Sequence, residues 1–429
     1  MFRWLRRPIS SEVKGGLEFV LQSQYWTEEK IRKYQWDKLH ELLQHAYQHV
    51  PYYRNIFNRI GATPDDIKTF EDFGRIPFLT KSDIQNSLEN LTATGTDPQS
   101  LSLNSTGGST GMPLNFYQDA NYRLWSDAAR IRAWRHVVGA DENDLEAVLW
   151  GATRDIGQGL TFRKVLYSIF REGLLPLNTF DLDEAKLIKF LLYFNLLKPK
   201  ILRGYASSLY YVARYVEKRA LSVHKPVSII SSTEVLHARM RDTIERVFGC
   251  KVYDSYGCRE VSQIATECEA HNGLHVVFEN QYVELDGQDI IVTNLHNYAM
   301  PFIRYKVGDL ASSLDTSPCS CGRFSPRIVS LIGRDNDNIE LPSGKVINGE
   351  FFEFLFFGLS SVIQYQVVYH KTIDRLRVKL HVSDTTENAG EIVRKTMREK
   401  FGYENVDILF SDQFDMTPSG KLRFVYQVD

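Results

Sequence analysis

The sequence predicts an α/β protein: a large N-terminal domain with parallel sheets flanked by helices plus a β-rich subdomain, then a small α+β unit. Three observations carry this. Between 146 and 256, short apolar runs alternate with helical stretches, the rhythm of a parallel sheet with crossover helices. From about 273 to 307 the pattern turns to strands and turns. After Gly333 it changes again, to a strand pair, a helix and a further strand, over about 95 residues, an ordinary domain size.

The elements follow in order. Residues 26–50 read as an amphipathic helix, with Ile31, Trp36, Leu39, Leu42, Leu43, Ala46 and Val50 at helical spacing, ended at Pro51. Short helices with Thr and Ser caps are expected at 69–73 and 81–87, and a longer one at 121–138 carrying Trp125, Ala129, Ile131 and Trp134. Strands are expected at 146–150, 201–203, 228–231 and 252–256, with helices at 183–197, 207–219 and 238–248 between them. The β-rich part has strands at 275–279, 281–285, 289–293 and 302–307. Residues 364–370 and 375–382 form an antiparallel pair, followed by a helix at 388–401 and a strand at 406–410.

Composition narrows the function classes. The 429 residues carry 51 Lys+Arg against 53 Asp+Glu, and this balance gives no support to a nucleic-acid binder. Apolar residues at 43% and charged residues at 24% are those of an ordinary globular chain. Five cysteines do not make a disulfide framework. No apolar run reaches the ~18–20 residues of a spanning helix, because 351–363 is broken by Glu353 and Gly358. The basic stretch 1–8 is followed by polar residues where a signal peptide would carry its apolar core, so the expected location is the cytoplasm.

Residues 104–113, Asn-Ser-Thr-Gly-Gly-Ser-Thr-Gly-Met-Pro, form the most informative stretch. Gly107, Gly108 and Gly111 let a backbone approach an anion, and the hydroxyls of Ser105, Thr106, Ser109 and Thr110 donate to phosphate oxygens. A kinase-type phosphate loop needs a Gly-Lys-Ser/Thr ending, and the lysine is absent.

The stretch resembles instead the Ser/Thr/Gly-rich loop of the adenylate-forming superfamily, which holds the β- and γ-phosphates of ATP. Further segments resemble that family's motifs in the family's order. Ser232, Thr233 and Glu234, after an apolar strand, resemble its adenine-contacting segment. Asp254, Ser255, Tyr256 and Gly257, with Glu260, resemble its Tyr-Gly-x-x-Glu motif, where the aromatic packs on adenine and the glutamate holds Mg²⁺. Asp309 in Arg304-Tyr-Lys-Val-Gly-Asp309 resembles the ribose-binding aspartate, and Arg334 resembles the hinge arginine that reaches ribose or phosphate. Lys421, in Thr417-Pro-Ser-Gly-Lys421, resembles the lysine that inserts for adenylation. The set spans 104 to 421.

The branch most similar is the phenylacetate–CoA ligase-like group with its capsular-polysaccharide-associated CapK-like members. The resemblance rests on the shortened N-terminal region, residues 202–208, 299–301 before Arg304, and Cys321-Gly-Arg-x-x-Pro-Arg327. It departs from the wider superfamily at Leu114, Val307 and Asn336, and the pivot is left between Asp335, Asn336 and Asp337. It implies an N-terminal ATP- and acid-binding domain, 1–334, and a mobile C-terminal lid domain, 335–429. It implies ATP-dependent activation of a carboxylic acid to an acyl-adenylate, with pyrophosphate released, then transfer to a thiol, coenzyme A by default. Transfer to an amine, for example on an amino sugar, is the alternative. A non-catalytic nucleotide-binding relative is the rival reading, opposed by the matches at Glu260, Asp309, Arg334 and Lys421. A homodimer is left open.

Two further groups come from the residues themselves. Trp150, Gly151, Gly204 and Tyr205 fall at ends of predicted strands, where open α/β sheets place ligands, and Tyr256 and Gly257 would complete an acyl pocket. Cys268 and His275 are one short-spaced pair and Cys319 and Cys321 another, the grammar of a four-coordinate structural zinc. His271 is the alternative fourth ligand; His275 is preferred because it begins a predicted strand.

Overall fold

The computed structural model describes residues 8–105, 114–150, 166–179, 184–334, 339–347, 351–352, 355–356, 359, 361–382, 388–416 and 422–429. Among these, three hydrophobic clusters organise the chain. The first joins the N-terminal helices to the β-rich part, through residues such as Leu42, Phe57, Phe116, Val292 and Tyr305. The helices are Ser11–Ser23, Glu28–His49 and Pro51–Ile60. Pro51 does not simply end the long helix. It stands at the first position of the next one, where its missing N–H costs no hydrogen bond.

The second cluster is the core of the parallel sheet. Its five parallel strands lie in the order Leu174–Asn178, Glu146–Trp150, Ile201–Tyr205, Ser228–Ser232, Lys251–Cys258. Helices Glu184–Leu197, Ala206–Lys218 and Ala238–Phe248 bury Phe194, Leu209 and Ile244 against it. Strand direction alternates side chains between the faces, so Leu149 and Leu202 point to those helices. Ile201 and Ile230 point the other way, towards Trp134 and Val138. In chain order the strands run second, first, third, fourth, fifth. The switch point therefore falls between Glu146–Trp150 and Ile201–Tyr205, where sheets of this kind open a ligand crevice at the C-terminal strand ends.

The same sheet continues antiparallel through Ser262–Glu267, Leu274–Val276, Arg327–Ile328 and Leu314–Asp315. A separate antiparallel sheet holds Gln281–Asp286, Asp289–Asn294, Tyr305–Ala311 and Leu331–Arg334. The third cluster lies beyond residue 338: a four-stranded sheet ordered Val406–Phe410, Arg375–Val382, Val362–His370, Val425–Val428, covered by helix Ala389–Phe401. Asn388 caps that helix by accepting from the Glu391 N–H, and Gly402 closes it in the left-handed region at φ +67°. Phe424 packs against both the second and the third clusters. No helix among the described residues is long and apolar enough to cross a membrane.

Candidate functional site

The site grows from the C-terminal end of the last parallel strand. Strand Lys251–Cys258 turns back at 259–261 into Ser262–Glu267, and this turn carries Glu260. The hairpin is tight at Gly257: an added Cβ would meet the Ser262 carbonyl oxygen at 2.4 Å, so no side chain fits. Glu260 is buried, and its Oε1 accepts from the Tyr305 hydroxyl at 3.0 Å. Tyr256 donates its hydroxyl to Asp309 Oδ2 at 2.9 Å. Two carboxylates from different sheets are thus each held by a tyrosine of the opposite sheet. Burial and the Glu260 charge push the Tyr305 phenol well up, so it stays a donor. Arg334 lies opposite Asp309 in the strand register.

The flanks of the phosphate loop dock onto this turn. Strands Ser102–Ser105 and Asn115–Gln118 pair antiparallel, Ser105 with Asn115 and Asn104 with Phe116. Gln118 then donates its side-chain amide to the Arg259 carbonyl at 3.0 Å. The two flanking strands therefore form a hairpin anchored to the turn that bears Glu260. The sequence pattern gave no sign of Gln118, because its partner is 141 residues away. Thr106, Gly107, Gly108, Ser109, Thr110 and Gly111 lie outside the described residues, as do Gly151, Asp335, Asn336, Asp337 and Lys421.

Ser232 ends the neighbouring strand, and Thr233 and Glu234 follow it. Ser232 and Ser255 are register partners on adjacent strands. Thr233 follows at φ +73°, a strained conformation for a β-branched residue, and its hydroxyl donates to the Ser232 carbonyl at 2.5 Å. Glu234 has a structural task that its motif did not suggest: Oε2 accepts from the Ser207 N–H at 2.8 Å, satisfying the start of helix Ala206–Lys218. Asp254 is buried, and burial together with the Glu267 carboxylate raises its pKa to about 7. At the switch point, Trp150 and Tyr205 lie ring to ring with centroids 4.5 Å apart.

A second constellation forms at the other end of the hairpin. Cys268 follows strand Ser262–Glu267, His275 lies in Leu274–Val276, and Cys319 and Cys321 lie in the loop before Arg327–Ile328. Their ligand atoms all lie within 4.8 Å of one another. Cys268 Sγ is 3.9 Å from Cys319 Sγ, and Cys321 Sγ is 3.4 Å from His275 Nε2. Tetrahedral zinc with its usual bond lengths sets about 3.8 Å between two sulfurs and about 3.6 Å between sulfur and nitrogen. His275 Nδ1 meets Ser325 Oγ at 2.9 Å, which orients the ring with Nε2 towards the thiols. His271 instead meets Glu267 at 3.2 Å and packs on Tyr253. Burial, then the Arg323 and Arg327 charges, push His275 down to about 4, so it is a neutral imidazole able to ligate.

The relatives agree with this architecture. No family model matches the chain. The chain is 25% identical over 399 residues to Protein CapK of Staphylococcus aureus, covering 90% of this chain and 87% of that one. It is 27% identical over 327 residues to the phenylacetate–coenzyme A ligase of Pseudomonas putida, covering 72% and 71%. The fold is similar to 2-hydroxyisobutyryl-CoA ligase in the postadenylation state, at TM-score 0.73 and 20% identity over 95% of this chain and 91% of that one. Against the same ligase with 2-HIB-AMP and CoA in the thioesterification state, the TM-score is 0.58 at 21% identity, over 93% and 90%. The parallel sheet, the β-rich partner sheet and the α+β C-terminal unit are the parts of this shared fold. The chain is thus similar in sequence to CapK and the phenylacetate–CoA ligases, and in fold to 2-hydroxyisobutyryl-CoA ligase.

Proposed function

We propose that the chain activates a carboxylic acid with ATP, forming an acyl-adenylate and releasing pyrophosphate, and then passes the acyl group to the thiol of coenzyme A. The observation that supports it most is the pair of tyrosine-held carboxylates, Glu260 and Asp309, at the end of the parallel sheet, with the hairpin of Ser102–Ser105 and Asn115–Gln118 anchored to the same turn. Asp309 and Arg334 take the ribose hydroxyls. Ser105, Thr106, Ser109 and Thr110, with the backbone at Gly107, Gly108 and Gly111, take the phosphates. Ser232, Thr233, Glu234 and Tyr256 flank the adenine, and Trp150, Gly151, Gly204, Tyr205 and Gly257 line the acid subsite. The acid's own carboxylate is the nucleophile at the α-phosphorus, so the protein supplies positioning and charge stabilisation. Lys421, on a C-terminal domain of 335–429, neutralises charge between the carboxylate and the α-phosphate in the first half-reaction. Rotation of that domain about 335–337 withdraws it for the second.

Glu260 fits Mg²⁺ as a hard carboxylate donor oriented by the Tyr305 hydroxyl. Mg²⁺ there would offset charge on the phosphates. The cysteine and histidine cluster takes a structural Zn²⁺, since Cys268, His275, Cys319 and Cys321 fill four positions and leave none for water. The test of the central reading is acid-dependent exchange of pyrophosphate into ATP over a broad panel of acids. Mass spectrometry of an acyl thioester with CoA, or of an amide with an amine acceptor, then identifies the second half-reaction.

A further inference from the structure

Arg203 sits in the middle of the strand Ile201–Tyr205, on the face of the sheet that bears Trp150 and Tyr205. Its guanidinium lies 4.3 Å from the ring centre of Trp134 and 5.0 Å from that of Trp150. Trp150 in turn packs on Tyr205. The four side chains form a column, Trp134–Arg203–Trp150–Tyr205, ending at the switch point. Arg203 is ion-paired within the fold: Nε donates to Glu146 Oε1 at 2.5 Å, and Arg135 shares that buried carboxylate through its other oxygen at 2.6 Å. Its planar guanidinium also lies near two indoles, those of Trp134 and Trp150.

The strands meet closely here. A Cβ added at Gly204 would come within 2.8 Å of Leu149 Cβ and 3.0 Å of its carbonyl oxygen, so only glycine allows this spacing. Trp134 extends the column to the nucleotide side, donating Nε1 to Ser255 Oγ at 3.0 Å, one residue before Tyr256.

We infer that Arg203 is a positioning residue for the acid subsite: it fixes the Trp150 ring at the switch point by stacking, without touching the substrate. This rests on the reading of the crevice as the site of an acid-activating enzyme. Lysine at 203 keeps a charge for Glu146 but has no plane to stack against an indole. Arg203→Lys should therefore raise the KM for the acid about fivefold, as the loss of a desolvated cation–π contact does. The KM for ATP should move less than about twofold. Trp150→Phe leaves the Arg203–Glu146 pair in place and should raise the acid KM by a similar factor. The double variant should be no worse than the single Trp150→Phe, because both changes break one contact.

An unchanged acid KM in either single variant overturns the inference, as does a double variant whose losses multiply. If the wild-type protein exchanges pyrophosphate with no acid at all, the proposed function fails, and this inference fails with it.

Discussion

The hairpin formed by Lys251–Cys258 and Ser262–Glu267 has a candidate site at each end, and the two are held in different ways. At the turn, Glu260 and Asp309 each receive a tyrosine hydroxyl from the opposite sheet, so both carboxylates are aimed before anything binds. At the far end, the buried thiols of Cys268 and Cys319 have mainly each other and their neighbours Cys321 and His275. Burial pushes the Cys268 thiol up to about 12. A divalent cation reverses that preference, because a coordinated thiol is deprotonated outright, and Arg323 and Arg327 stand close enough to offset the resulting negative charge. The first end is preorganised for a ligand that comes and goes. The second is suited to an ion that stays.

The largest effect expected lies at neither end, and it tests whether the first is catalytic at all. Lys421→Ala should lower acid-dependent pyrophosphate release by about 10²–10³-fold, the usual loss when one preorganised charge-stabilising group is removed. Thioester formation from pre-formed acyl-adenylate should be largely retained. Equal loss in both half-reactions, measured by single turnover, would contradict the rotating-domain account.

At the turn, Asp309→Ala should raise the KM for ATP by about tenfold or more, the range for losing hydrogen bonds to a charged acceptor. Tyr256→Phe removes only the group that aims Asp309 and should cost about threefold. A larger loss in Tyr256→Phe than in Asp309→Ala would reverse their roles. At the other end, metal analysis of protein purified without chelator should find about one zinc per chain. Cys319→Ser with Cys321→Ser should remove it and lower Tm by roughly 5–10 °C, a loss of a few kcal/mol for a large domain. A metal-free wild-type protein with the full Tm would remove the distinction between the two ends. The smallest effect expected is that of Glu260→Gln, which keeps shape but loses charge: half-maximal Mg²⁺ for exchange should rise about twofold, since the phosphates and water supply the other ligands.

The two ends were also unequally legible. The family resemblance singled out Glu260, Asp309 and Arg334 by motif order. It did not point to Gln118 or Trp134, whose partners Arg259 and Ser255 are remote in sequence. Glu234 matched a nucleotide motif, yet its resolved partner is a helix start. The Cys268–His275 and Cys319–Cys321 pairs were visible as spacings, and the four-strand antiparallel extension of the sheet brings the two pairs together.

In the fold, the βαβ rhythm was plain, but strand Leu174–Asn178 was not expected. It contains Pro176, which argues against a central strand, and it lies at the sheet edge, where a missing N–H is tolerated. Strand Val425–Val428 was also not expected. It pairs parallel with Val362–His370 across more than fifty residues, a partnership no local pattern encodes.

The most direct test of the central claim is isotopic exchange between pyrophosphate and ATP, measured with and without each member of a carboxylic-acid panel. The account predicts exchange that depends on at least one acid and disappears in Lys421→Ala. ATP binding without exchange for every acid, in protein whose zinc content and Tm are intact, would contradict it.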